Sequence, residues 1–221
     1  MNILTIDADY ISGNYLNKIY NLVGGKPTKY FWEKILDSDG IEHRDIIEDK
    51  HNVMFIMKLF ANAMKINDNI VFGAHHDSIL NHIDIDNETN FNIYNIDHHH
   101  DIWYNPNQKH AAEKYGEFNE GNWILPLSDK ISKYTWIRNK NSELFNGEIS
   151  FPYFTYLHTD PELPSMMDKK WDLVYITLSP NYTAKEHWFY FYMMIELYKE
   201  IKGVDDVVVD NVRYTPLVEN F

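Results

Sequence analysis

The chain has 221 residues, no cysteine, and 20 Lys+Arg against 33 Asp+Glu, for a formal net charge of −13 at pH 7. Hydrophobic residues at 44% and aromatics at 15% exclude a disordered chain, and the length suits one core, so residues 1–221 are read as a single domain. The missing thiols exclude disulfides, thiolate metal sites and a cysteine nucleophile, while the acidic balance, with no Lys/Arg-rich run, excludes nucleic acid as a partner.

Residues 2–6 form a short apolar run that ends in carboxylates. It lacks the basic start and small-residue cleavage site of a signal peptide and reads as a buried strand. Val53, Ile56, Met57, Phe60 and Met64 recur at helical spacing, which predicts an amphipathic helix over Lys50–Ile66, closed by Asn67 and Asp68. Ile70, Val71 and Phe72 open a second strand running into Gly73, and residues 78–82 are a short stretch in which a helix could begin. Residues 91–96 alternate Phe, Ile, Tyr and Ile with Asn as a third strand, and residues 133–137 and 173–178 make a fourth and a fifth. A helix is predicted over 185–202, stopped by Gly203, with a last strand at 207–209. Short apolar strands alternating with helices predict an α/β fold of three layers, α/β/α, with a mainly parallel sheet covered on both faces. No stretch reaches the roughly 18 consecutive apolar residues of a membrane helix, so no membrane partner and a cytoplasmic location are expected.

Residues of metal-ligand type follow three of these runs. They are Asp7-Ala8-Asp9, His75-His76-Asp77 and Asp97-His98-His99-His100-Asp101, and six of the 11 histidines lie between His75 and His100. In an open parallel sheet, sites form beyond the C-terminal ends of strands. Extended chain puts residues i, i+2 and i+4 on one side, so Asp97, His99 and Asp101 face one way and His98 and His100 the other. Asp7 and Asp9 make a second same-side pair. Carboxylates at this density repel one another in a buried site unless cations compensate. Four carboxylates and two imidazoles are a ligand set for two divalent ions. Oxygen and nitrogen donors without sulfur favour Mn²⁺, Fe²⁺ or Zn²⁺, with Mn²⁺ suited to a carboxylate-rich site.

The Asp97-to-Asp101 segment resembles the Asp-x-His-x-Asp signature of the arginase/deacetylase superfamily, and Gly73-Ala74-His75-His76-Asp77 is similar to its Gly-Gly-Asp-His segment. Within that superfamily the chain resembles the branch called uncharacterised-protein family 0489, whose members include peptide arginases of ribosomal-peptide biosynthesis. Asp7-Ala8-Asp9-Tyr10 is similar to the branch's Asp-x-Asp-x-aromatic segment, and Ala74-His75-His76-Asp77 to its histidine segment. Gly121-Asn122-Trp123-Ile124-Leu125-Pro126 resembles its Asn-Trp segment, and Leu178-Ser179-Pro180-Asn181-Tyr182-Thr183 its Ser-Pro-x-(aromatic)-Thr. The resemblance runs from residue 3 to about 185 through these short motifs. It implies an arginase/deacetylase-like fold holding two Mn²⁺ ions. Asp97 would bridge them, His75 and Asp101 would bind one and His99 the other, and Asp7 (the second bridge) and Asp9 would complete the set. His76 replaces His75 should the register differ by one residue.

The resemblance further implies conversion of peptidyl arginine to ornithine with release of urea. Asp97 and His99 would be catalytic, Asp77 or Glu120 would hold the guanidinium, and Asn122 and Trp123 would contact substrate. An acidic chain attracts cationic substrates, and an arginine-containing peptide is the expected partner. Trp103-Tyr104, Trp123 and the aromatic stretch 188–192 could line a peptide groove, although Phe189, Tyr192 and Met193 at helical spacing read as core. The chain departs from arginases in its late strand, Val174-Tyr175-Ile176-Thr177-Leu178-Ser179-Pro180, which lacks their aspartates. Those ligands must come from the N-terminal strand, which must therefore lie beside the others. The Glu120-Gly121-Asn122-Trp123-Ile124 segment lacks the arginase histidine, leaving His110 and His158 as candidate proton shuttles. Three alternatives stand: another metal-dependent C–N amidohydrolase, a manganese phosphoesterase of the Asp-His-His type, or a non-catalytic metal-binding interaction protein on the same scaffold.

Overall fold

A computed structural model describes residues 1–11, 48–88, 90–103, 106–139, 142, 151, 153–158, 166–180, 183 and 187–210. In chain order the elements are β1 (Asn2–Asp7), α1 (Lys50–Ile66), β2 (Ile70–Gly73), β3 (Phe91–Asp97), α2 (Pro106–Tyr115), β4 (Ile131–Arg138), β5 (Phe154–His158), β6 (Leu173–Thr177), α3 (Trp188–Lys202) and β7 (Val209–Asp210). Short 3-10 helices occupy Ala8–Ile11, His76–His82 and Leu125–Lys130.

The strands form one seven-stranded sheet in the order β5-β4-β3-β1-β6-β2-β7, and every pairing is parallel. The protein is thus an α/β fold on a parallel sheet. β1 lies between β3 and β6, so the N-terminal strand does lie beside the others. Register brings the strand ends level: Ile6 pairs with Ile96 and Ile176, while Asp7 and Gly73 both pair with Thr177.

Both faces of the sheet are buried, which explains why β6, Leu-Val-Tyr-Ile-Thr, is covered at all five positions. On one face Leu4, Ile6, Phe72, Val174 and Ile176 pack under α1 and α3. The helix α1 presents Phe55, Ile56, Leu59, Phe60, Ala63 and Met64, a stripe at three- and four-residue spacing. Asp49 caps its start by accepting from the His51 N–H at 2.9 Å, and the Asn67 backbone N–H ends it on the Ala63 carbonyl. Helix α3 buries Phe191, Met194 and Ile195 and stops at Gly203, whose φ of 65° suits only a residue without a side-chain clash. Phe189 is exposed and not part of the core, a correction to its helical-spacing assignment. None of the described helices is long and apolar enough to cross a membrane.

On the opposite face Ile3, Phe91, Ile93, Tyr134, Trp136, Leu173 and Tyr175 are covered by Ile79, Ile83, Ile102, Trp123, Ile124 and Leu127. These come from 3-10 helices and connecting turns, so among the described residues this layer is not the α-helical one expected. The segment His76–His82 explains why: Asp, Ser and Asn hydrogen-bond to nearby backbone and favour turns, and too few apolar residues are present for a helical stripe. Other differences are smaller. β5 and α2 were not expected, and the last strand falls at Val209–Asp210 instead of 207–209. The described part of α3 begins at Trp188, residues 185 and 186 lying outside the described residues.

Candidate metal centre

Alternation along β1 puts Ile3 in the second core and carries Thr5 and Asp7 to the same face, and β3 does the same with Ile93, Asn95 and Asp97. Asp9 follows on the 3-10 helix after β1, and His99 and Asp101 follow β3. From β2 comes His76, not His75. The strand ends at Gly73 and the chain bends into a 3-10 helix at His76, so two-residue alternation does not extend to the histidines. Gly73 is required there because a Cβ on it would lie 1.8 Å from the Tyr175 hydroxyl oxygen. That hydroxyl donates to the His75 carbonyl at 3.0 Å and so pins the bend.

His76 Nδ1 lies 3.0 Å from Asp97 Oδ2, 3.0 Å from Asp101 Oδ2 and 3.3 Å from Asp7 Oδ2. It is 1% exposed, and none of these contacts has hydrogen-bond geometry. His99 Nδ1 lies 2.8 Å from Asp9 Oδ2 and 3.7 Å from Asp97 Oδ1. Two groups could each hold a metal ion, Asp7–His76–Asp97 and Asp9–Asp97–His99, the ligand atoms of each lying within 4.8 Å of one another. Asp97 belongs to both. A buried imidazole nitrogen facing three carboxylate oxygens without a hydrogen bond to any fits a divalent cation between them.

Electrostatics agree with that fit. Burial, then the charge of Asp97, pushes Asp7 up to about 6 and Asp101 up to about 7. Burial, then Asp7 and Asp97, drives Asp9 well above the usual carboxylate range. Burial also disfavours the charged forms of Asp97, His76 and His99, but their mutual contacts win, holding Asp97 well below and both histidines well above their ordinary values. His98 and His100 stand outside both groups, and burial, then the charge of His99, depresses each to about 3. Without a cation, the carboxylates stay together only by retaining protons or facing protonated imidazoles.

The candidate ligands are held from behind. The Trp123 indole N–H donates to Asp101 Oδ2 at 2.8 Å, the Ser179 hydroxyl to Asp7 Oδ2 at 2.5 Å, and the Trp136 indole to the Asp97 carbonyl at 3.0 Å. Asn95, fully buried, donates to Tyr134 Oη at 3.0 Å and accepts from Thr5, while the Tyr134 hydroxyl donates to the His100 carbonyl at 2.7 Å. Backbone N–H groups of Asp9, His98 and His99 donate to Asp7 Oδ1, Asp9 Oδ1 and Asp97 Oδ1 at 3.0, 3.2 and 2.7 Å. Asp101 takes a left-handed φ of 51° to return its carboxylate to the cluster.

The structure therefore brings together Asp7, Asp9, Asp97, His99 and Asp101 from the expected set, with His76 in place of His75. His75 instead lies with Nδ1 2.7 Å from Glu120 Oε1, half-exposed, its pKa raised chiefly by that hydrogen bond. Asp77 is half-buried, its carboxyl raised by burial and then by Glu120, so both guanidinium-clamp candidates sit beside His75. Asn122 faces its own turn: its side chain accepts from the Asn119 N–H at 2.7 Å. Trp123 is fully buried with its ring centroid 4.9 Å from that of His76, and supports the centre from within the core. Trp103 packs on the second core, whereas Tyr104, Asn181, Tyr182 and the His158 side chain lie outside the described residues. His110 is exposed on α2, its ring 6.2 Å from that of Tyr115. Sequence reasoning assigned no role to Ser179, Asn95, Tyr134, Trp136 or Tyr175. Two signals were available: Asn95 stands two residues before Asp97 on the same strand face, and Ser179 opens the Ser-Pro segment.

Comparison of the chain with family models, with curated proteins and with solved structures gives no match.

Proposed function

We propose that the protein is a dinuclear Mn²⁺-dependent hydrolase of C–N bonds, specifically a peptide arginase that converts peptidyl arginine to ornithine and urea. The observation that carries the reading is the sharing of Asp97 between two ligand groups, Asp7–His76–Asp97 and Asp9–Asp97–His99. Asp101 adds a third carboxylate beside His76. A pair of divalent ions supplies a water nucleophile near neutral pH and stabilises charge developing on the substrate. The protein's own residues do the rest. In the metal-free centre His76 and His99 hold Asp97 deprotonated and so ready to take an ion, and Trp123 and Ser179 aim Asp101 and Asp7. Asp77 and Glu120, flanking His75, are the carboxylates for a cationic guanidinium, and the net charge of −13 favours approach of a basic peptide. The motif resemblance supports guanidinium over amide chemistry.

The test begins with metal content of protein purified without chelator. About two Mn per chain is expected for a shared-carboxylate site. Asp97→Ala, His99→Ala and His76→Ala should lose metal, and His75→Ala should retain it. Arginine-containing peptides are then assayed for urea release. Substoichiometric metal, unchanged by Asp97→Ala and His99→Ala, would sink the reading.

A further inference from the structure

We propose that Ser179 is a positioning residue for the metal centre, its hydroxyl setting the Asp7 carboxylate from the end of a strand that supplies no ligand. The inference rests on the metal-centre reading above. Ser179 is 1% exposed and its Oγ donates to Asp7 Oδ2 at 2.5 Å, a short charge-assisted bond. The other oxygen, Oδ1, accepts the Asp9 backbone N–H at 3.0 Å, so both edges of the carboxylate are fixed. Oδ2 is also the atom 3.3 Å from His76 Nδ1.

Backbone geometry supplies an independent argument. Ser179 has a φ of 44°, in the left-handed region where a side chain is strained and glycine is relaxed. It is clamped there by its N–H on the Ala74 carbonyl at 2.8 Å and by its carbonyl accepting from the Thr183 N–H at 2.9 Å. Strain concentrates where it serves a site, and what serine offers over glycine at this point is the hydroxyl. β6 lies between β1 and β2. Ser179, two residues past its end, thus touches both the Asp7 carboxylate and the backbone leading to His76, and sets the spacing between two ligands of one group.

Two variants separate positioning from folding. Ser179→Ala removes the hydroxyl and keeps the backbone strain, whereas Ser179→Gly removes the hydroxyl and relieves it. Each is stripped with chelator and titrated with Mn²⁺, and the bound ion's electron paramagnetic resonance spectrum and the Tm of the metal-free protein are recorded. Loss of a supporting hydrogen bond should weaken Mn²⁺ binding by about tenfold to a hundredfold in both variants and change the spectrum in the same way. The metal-free Tm of Ser179→Gly should equal or exceed that of wild type. Wild-type affinity and spectrum in both variants would overturn the inference and leave the metal centre standing. An affinity loss confined to Ser179→Ala and tracking its Tm would overturn it too, marking a purely structural role. Wild-type protein that binds no Mn²⁺ would remove the metal reading and this inference together.

Discussion

Of the buried carboxylates in the centre, Asp7, Asp9 and Asp101 hold their protons more strongly than an ordinary carboxyl, whereas Asp97 gives its proton up. Asp7 titrates at about 6 and Asp101 at about 7, against an ordinary 3.8, so a metal ion entering at neutral pH competes with a proton on each. Mn²⁺ affinity is therefore expected to fall as pH drops from 8 to 6, with proton release on binding, measurable by titration calorimetry in buffers of different ionisation enthalpy. Affinity constant across that range would contradict the assignment. The same residues set the stability of the metal-free protein. A raised carboxylate favours the folded state fully below 3.8, and this is lost as pH rises through about 6 to 7. His98 and His100, depressed to about 3, act oppositely, removing stability as pH falls below 6.5. Trp123 tests the support of the ligands without touching their number. Trp123→Phe removes the indole donor to Asp101 and should weaken Mn²⁺ binding by about tenfold to a hundredfold, read by the same titration.

Strand ends decide which side chains meet. Gly73→Ala forces a Cβ to within 1.8 Å of the Tyr175 hydroxyl, so β2 and β6 must separate or the bend before His76 must open. The expected cost is about 1–3 kcal/mol in urea denaturation, accompanied by weakened Mn²⁺ binding because His76 moves. A stable variant with full metal affinity would show the close approach to be dispensable. This bend is also where the sequence was least legible. Helix α1 could be read to its boundaries because its apolar stripe is periodic and its caps are polar. β1 and β6 could be read because strands buried on both faces are apolar runs, and β3 because its Phe, Ile, Tyr and Ile are interspersed with Asn. Strand alternation places Asp7 and Asp97, the last residues of β1 and β3, on one face, while the choice between His75 and His76 rests on the motif resemblance and is decided by the bend after Gly73, where the chain is no longer extended. β5 is an edge strand of five residues, and α2, PNQKHAAEKY, has no apolar stripe, so neither carried a periodic signal. Ser179 and Asn95 act through tertiary hydrogen bonds between residues 172 and 90 positions apart, so local pattern and motif mark the residues but not their partners.

For the whole molecule, the centre is a junction of the sheet. Its ligands follow β1, β2 and β3, and β6 carries the Ser179 support, so an ion bound there ties together four strands. Saturating Mn²⁺ should raise the Tm of the stripped protein, with a stabilisation of about 2.7 kcal/mol at a hundredfold excess over Kd. The rise should be larger at pH 8 than at pH 6, and scanning calorimetry at the two values checks both. Absence of any shift would mean that no ion binds the folded state.

The central place of β1 also orders events during synthesis. Asp7 leaves the ribosome before every other ligand, yet one of its strand neighbours, β6, spans Leu173–Thr177, and its hydroxyl donor is Ser179. Until that stretch emerges, β1 has an open edge and the carboxylate has no support on one side. Pairings this distant in sequence form late. A cation bound at this centre should therefore load only after translation has passed Ser179, so that a prematurely terminated chain, however well its early helix forms, emerges without one.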